Sequence, residues 1–315
     1  MRPRGPRHAA FSPGLPDYEA FSFGRWGQIL ACTWRRLPPA LFGHGDPAGF
    51  APLRRAIADY LAAMRGVRCD LDQVFVTGGS QQSVALAAQT LCDPNDTVLV
   101  EEPGYPGVRG ALLGAGLTLA PVPADGEGMD FDQTSPAGKG ARMAVIAPSH
   151  QYPLGVTMSL GRRLALLDWA RDHEAWILED DYDSEYRYAG CPLAALQGLD
   201  TRGRMVCLGS FSKVMFPSLR LAYLVVRPAL TDAVRAVRMT LDDHPSAIHQ
   251  PALDAFMEER HFASHIRKTR RLYAARQQAL LAGAVRHLGG LLDFAPDDAG
   301  ICISSPVSPR PWPPA

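Results

Sequence analysis

Lys213 stands in GSFSKVMFPSLR (209–220), behind two serines and ahead of an apolar turn that closes on Arg220. An ammonium group is expensive to bury unpaired, and burial lowers its pKa, which is what a lysine needs before its neutral amine can attack a carbonyl. The stretch therefore suggests a lysine that forms a Schiff base, although an SxSK string by itself also suits a surface lysine in a Ser-rich loop. Two further stretches could do chemistry. EDDYDSEY (179–186) gathers Asp180, Asp181 and Asp183 around Tyr182, behind the apolar run AWIL. Such acids are solvated, or bind a divalent cation, or include a partly buried carboxylate that needs a cationic partner, and the apolar lead-in favours the last. GGSQQ (78–82) follows the β-rich run QVFVT and opens a helical pattern. Free backbone N–H groups and the helix dipole make such a start an anion site, though Gly-Ser turns also begin ordinary helices.

The elements that must position these residues alternate along the chain. LRRAIADYLAAM (53–64) sets Leu53, Ile57, Leu61 and Met64 at helical spacing, with Pro52 suited to a first turn. QVFVT, TVLVEE, LTLAPV, RMAVIAP, AWILEDD, RMVCLGS and LAYLVV read as short strands, with helical patterns such as GVRGALLGAG and LGRRLALLDWARDH between some of them. That alternation predicts an α/β fold with a mainly parallel sheet covered on both faces. From about Leu230 to Arg286 the pattern is almost wholly helical, and HFASHIRKTRRLYAARQQALLAGAV reads as one long helix. The expected organisation is an irregular segment over 1–44, a large domain over 45–286, and a smaller region over 287–315 that ends in the Pro-rich ICISSPVSPRPWPPA.

Composition excludes several classes of function. The 315 residues are 47% hydrophobic, enough for a large core, and 32 basic residues balance 32 acidic ones. No net field favours nucleic acid or an anionic membrane, so the expected partner is a small molecule. No apolar run approaches the roughly 18 residues of a membrane span, and MRPRGPRHAAF lacks the apolar core of a secretory signal, so a cytoplasmic chain is expected. Cys32, Cys69, Cys92, Cys191, Cys207 and Cys302 form no CxxC pair and read as reduced core thiols, with no metal site expected.

Ligands of open α/β sheets lie beyond the carboxyl ends of the strands, and all three stretches follow strands. A phosphate would rest on the GGSQQ helix start and Arg220, a protonated ring nitrogen would meet Asp180, and Lys213 would capture an aldehyde. Pyridoxal phosphate carries all three groups.

Six ordered motifs then carry a family resemblance: GDPAGFAPLR (45–54), VTGGSQQ (76–82), VEEPGYPGVR (100–109), PSHQYPLG (148–155), EDDYDSEYRY (179–188) and GSFSKVMFPSLRLAYLV (209–225). From about Pro16 to Asp298 the chain resembles the aminotransferase domain of fold type I pyridoxal phosphate proteins, specifically the MocR/GabR-type regulators of the class I and II aminotransferase superfamily. The resemblance implies a three-layer sandwich, Lys213 as the Schiff-base lysine, and Asp180 as partner of the pyridine nitrogen. It further implies Tyr182 on the ring hydroxyl, Tyr105 stacked on the ring, and Ser80, Gln81, Ser210 and Arg220 around the phosphate. A homodimer is implied too, with His44 standing where relatives carry a tyrosine that reaches the neighbouring subunit's phosphate. Regulators of this type have a winged helix-turn-helix ahead of the domain. The stretch before Pro16 is too short for one, so no direct DNA binding by this chain is expected. The ending reads as a remnant of the small C-terminal domain, which in relatives supplies an arginine for the substrate carboxylate. No residue takes that role here unless another cation such as Arg109 does. The expected function is a pyridoxal phosphate-dependent aminotransferase acting on an amino acid or related amine and a keto acid. The alternative is an effector-sensing or vestigial cofactor-binding domain without efficient turnover.

Overall fold

Short apolar runs bounded by glycine, proline or aspartate form eight strands in the computed structural model, which describes residues 14–131, 136–188, 193–288 and 297–301. They are β1 (Val74–Thr77), β2 (Thr97–Glu102), β3 (Thr118–Asp125), β4 (Gly128–Met129), β5 (Ala141–Ile146), β6 (Trp176–Asp181), β7 (Met205–Ser210) and β8 (Ala222–Val225). The described helices are α1 (Phe23–Trp34), α2 (Ala51–Arg65), α3 (Ser80–Leu91), α4 (Pro106–Gly114), α5 (Pro136–Gly140), α6 (Leu160–Asp172), α7 (Thr231–Leu241), α8 (Gln250–Glu258) and α9 (His261–Leu288). One sheet takes the order β1-β8-β7-β6-β5-β2-β3-β4. Its centre, from β7 through β6, β5 and β2 to β3, is parallel. β8 runs antiparallel to both β7 and β1, so β1 points the same way as β7. The carboxyl ends of β1, β2, β5, β6 and β7 therefore share one edge.

Alternate side chains of each strand serve opposite layers, as pleating requires. Val98, Leu178, Val206 and Phe75 pack with α3, α4 and α7, through residues such as Leu91, Leu112 and Val234. Leu99, Ile177 and Met205 face Leu166 and Trp169 of α6. Farther along that same face, Val74, Val76 and Cys207 meet α1, α2, α8 and α9. The result is the expected three-layer α/β arrangement with a mainly parallel sheet. In α2 the spacing read from sequence places Leu53, Ile57 and Leu61 in the core, and Gly66, at a left-handed φ of 64°, ends the helix.

Several expectations need correction. The segment over 1–44 is not wholly irregular, because it contains α1. Gly24 and Gly27 dilute the helical signal of FGRWGQILACTW, yet Trp26 packs on Phe216 and Phe256 at 6.1 and 5.6 Å, and that burial outweighs propensity. The helical stretch after Leu230 breaks between Leu241 and Gln250, around Pro245. Of the four described cysteines only Cys207 is buried, while Cys32 is exposed on α1. Cys191, Cys302, residues 1–13, and most of the expected C-terminal remnant and tail (289–296 and 302–315) lie outside the described residues. Among those described, no helix is long and apolar enough to cross a membrane.

The seating of α2 is open to test by denaturant. Leu53→Ala, at a fully buried position, should cost about 2–5 kcal/mol in urea unfolding, whereas Leu113→Ala, on the exposed side of α4, should cost under about 1 kcal/mol. Equal losses at the two sites would contradict this packing.

Candidate functional site

The residues singled out by sequence line the carboxyl edge in the order of the strands. Thr77 of β1 lies opposite Ala222 of β8, and Ala222 opposite Ser210 of β7; Asp181 of β6 lies opposite Gly209. The Gly78–Gly79 turn, Arg220, Lys213 and Asp180 therefore follow one another across the sheet. His150 continues the row behind β5 and Tyr105 behind β2.

At the β1 end, Gly79 adopts φ 138°, a conformation that only glycine holds without strain. It also leaves room for Arg220, since a Cβ on Gly79 would stand 2.9 Å from the Arg220 guanidinium. Arg220 is exposed and itself left-handed at φ 53°. The turn is pinned from behind: Thr77 Oγ1 and Ser83 Oγ are 2.7 Å apart, Gly78 N–H donates to Gln82 Oε1, and Gln82 Nε2 donates to Asp242 at 2.6 Å. Gln82 and Ser83 N–H groups return to the Gly79 carbonyl, so Ser80 and Gln81 carry the first N–H groups of α3, the positive end of its dipole. The Gln81 side chain is exposed.

Lys213 is half-buried, and its ammonium donates to the Gly14 carbonyl at 2.7 Å. Its loop is held from both sides. Val214 and Met215 are buried, the Val214 carbonyl accepts from His265 Nε2 at 2.7 Å, and Ser212 N–H donates to Ser210 Oγ at 3.2 Å. Asp180 is buried, and among the described residues its Oδ1 has no hydrogen-bond partner. Burial pushes its carboxyl up to about 7, the neighbouring Asp181 charge adds to this, and the Lys213 charge opposes it. The adjoining acids have partners, though Glu179 Oε1 and Asp181 Oδ1 also lack a hydrogen bond among the described residues. Asp181 meets Arg65 Nε at 2.8 Å, Glu179 accepts from Leu196 N–H at 2.9 Å, and Asp183 lies 3.0 Å from His150 Nδ1. Of the meanings the sequence left open for this cluster, partly buried carboxylates met by cations is the one the fold adopts.

Tyrosines wall the β5 and β2 end. Tyr105 leads into α4 and meets the Tyr152 ring edge-on at 5.7 Å, and Tyr152 meets Tyr182 at 6.4 Å. The Tyr182 hydroxyl is 2.9 Å from His150 Nδ1. Arg109 is engaged elsewhere, with the Glu102 carboxylate and the Glu101 carbonyl. His44 stands apart on the exposed rim, paired with Asp243 at 2.8 Å. Sequence reasoning missed Gly14, Arg65, His150 and Tyr152. Arg65 had left a signal, since it continues the 53, 57, 61 spacing on the buried face of α2, where a charge demands a partner, and His150 and Tyr152 stand in the PSHQYPLG motif without a role having been read for them.

This geometry bears comparison with known proteins. A model of the family described as aminotransferase class I and II matches residues 36–305. The chain belongs to that family. It is 42% identical over 297 residues to the probable rhizopine catabolism regulatory protein MocR of Rhizobium meliloti, covering 94% of this chain but 60% of that protein. It is 28% identical over 291 residues to aromatic-amino-acid aminotransferase 1 of Thermococcus litoralis, covering 90% of this chain and 68% of the relative. Among solved structures, the alpha-aminoadipate aminotransferase LysN of Thermus thermophilus, complexed with N-(5'-phosphopyridoxyl)-L-leucine, matches with a TM-score of 0.82 at 28% identity. That match covers 92% of this chain and 74% of the other. The expected likeness to MocR-type regulators and to fold type I aminotransferases is thus found, and this family implies pyridoxal phosphate as cofactor.

The buried carboxyl makes stability depend on pH. Asp180 is raised from 3.8 to about 7, so its contribution is full below about pH 4 and is lost as pH rises through about 7. In ligand-stripped protein the melting temperature should fall over that window, and Asp180→Asn, which mimics the protonated carboxyl, should flatten the fall. An unchanged slope would contradict the burial of this group.

Proposed function

We propose that this family member binds pyridoxal 5'-phosphate along the carboxyl edge of the sheet and uses it on an amino acid or related amine with a keto acid as acceptor. The observation that carries the proposal is Asp180, a buried carboxylate with an orphaned oxygen and the Lys213 charge acting on it. An acid so placed fits a protonated ring nitrogen, and the glycine-lined turn under Arg220 fits a phosphate.

Ser80, Gln81, Ser210 and Arg220 would hold the phosphate, Tyr105 the ring face, Tyr182 the ring oxygen, and Asp180 the ring nitrogen. When bound, the cofactor supplies an electron sink for bonds at the substrate α-carbon. Asp180 keeps the ring-nitrogen proton in place, which that sink requires. Lys213 would hold the aldehyde end of the cofactor, and its amine, when free, would accept and return the proton at the substrate α-carbon. The site belongs to a large domain over 45–286, which we place in a cytoplasmic homodimer with His44 toward the neighbouring subunit.

A second reading is favoured by the 42% identity to a regulator of which the chain spans 60%: a domain that senses an amino effector through the same residues without completing turnover. The two part at product release. Repeated formation of keto acid belongs to the enzyme, and a single stoichiometric spectral change belongs to the sensor.

Both readings stand on the phosphate cradle. Arg220→Ala should weaken pyridoxal phosphate binding by about ten- to a hundredfold, the loss of one charged hydrogen-bond partner, and leave the binding of unphosphorylated pyridoxal little changed. An equal loss for both compounds would show that Arg220 serves the fold and not the phosphate.

A further inference from the structure

His150 lies where three segments meet, buried to 3% exposure on the loop that leaves β5. Its Nδ1 is 3.0 Å from Asp183 Oδ2 and 2.9 Å from the Tyr182 oxygen, and its Nε2 is 3.0 Å from Asp297 Oδ2. Carboxylates only accept, so with one facing each ring nitrogen both nitrogens carry a proton. A protonated Nδ1 has no lone pair for the phenol, so the bond to Tyr182 runs one way: His150 N–H donates, shared with Asp183, and the phenol oxygen accepts. The Tyr182 proton is then given to another acceptor. Burial alone would pull this imidazole toward neutrality, but the Asp183 and Asp297 charges outweigh it and hold the group at about 10.

Asp297 belongs to a different part of the chain, the segment 297–301, which lies along the residues that follow β6. Tyr188 N–H donates to the Asp298 carbonyl and Gly300 N–H to the Tyr186 carbonyl, both at 2.7 Å, and the Tyr188 hydroxyl donates to the Gly300 carbonyl at 2.6 Å. The fit leaves no room for side chains. Gly300 (φ 84°) and Gly155 (φ 77°) both hold left-handed backbone; a Cβ on the first would overlap the His150 ring, and one on the second the Asp297 carboxylate.

We propose that His150 is a positioning residue: gripped between Asp183 and Asp297, it donates to the Tyr182 phenol and so makes that phenol's hydrogen bonding depend on the seating of the 297–301 segment. The inference rests on the reading of Tyr182 as partner of the cofactor's ring oxygen. A phenol that accepts a charged hydrogen bond is a stronger donor through its own O–H. Loosening Asp297 therefore weakens what Tyr182 gives to the site without touching a residue that contacts cofactor.

The test uses the full chain, Asp297→Asn, Asp297→Glu and His150→Gln. Without cofactor, the His150 ring signals in NMR should stay in the protonated position across neutral pH in the native chain and titrate at least about one pH unit lower in Asp297→Asn. With pyridoxal phosphate bound, the pH at which its yellow band converts should move up by roughly half to one unit in Asp297→Asn and His150→Gln, and return toward native in Asp297→Glu. A native His150 that titrates near its ordinary value overturns the proposal, as does a yellow native chain whose variants do not move. No yellow band in the native chain removes the functional reading and the inference with it, which separates the two failures.

Discussion

A row of carboxylates at the buried carboxyl end of β6 is the constraint around which the rest of the site is arranged. Glu179, Asp180 and Asp183 are buried and Asp181 nearly so, and taking each such charge out of water costs several kcal/mol unless a cation or donors meet it. The pleat sends Glu179 and Asp181 to one face of the strand and Asp180 to the other. Compensation therefore has to come from several elements. α2 delivers Arg65 to Asp181 and Glu179, the loop after β5 delivers His150 to Asp183, and the loop between β7 and β8 delivers the Lys213 charge to Asp180. Electrostatic compensation of one strand thereby brings together the residues that the proposed chemistry needs.

Rigidity follows from the same arrangement. The lysine loop is fastened by the buried Val214 and Met215 and by the His265 bond from α9, and the Gly78–Gly79 turn by Thr77, Gln82 and Ser83. Asp180 Oδ1 is among the buried carboxylate oxygens without a hydrogen-bond partner in the described residues, and the Arg220 guanidinium lies exposed over Gly79. Loops held still beside a buried carboxylate and an exposed cation supply the preorganisation that the proposed ligand, with its positive and negative groups, would use.

Much of this was legible because strands and helices announce themselves by period, and because reactive residues at strand ends fall together in any parallel sheet. Lys213, Asp180, Arg220 and the GGSQQ turn could be placed on one edge before any coordinates. The misses have local causes. α1 was hidden by two glycines whose propensity cost is outweighed by aromatic packing contributed from residues about two hundred positions away. His150 stood in the PSHQYPLG motif without an assignable role, since a histidine in a loop shows its role only once Asp183 and Asp297 are seen on either side of it. Gly14 acts through its carbonyl, which no side-chain reading can anticipate. The reversal at β8 was also invisible, because antiparallel and parallel buried strands share one composition.

The central claim is that Lys213 is the amine that meets the aldehyde of pyridoxal phosphate. The chain contains three lysines, Lys139, Lys213 and Lys268, so the claim has few competitors. Loading the protein with pyridoxal phosphate, reducing it with borohydride and mapping the peptides by mass should give one phosphopyridoxyl adduct, on Lys213. An adduct on Lys139 or Lys268 instead, or no adduct at saturating cofactor, would contradict it.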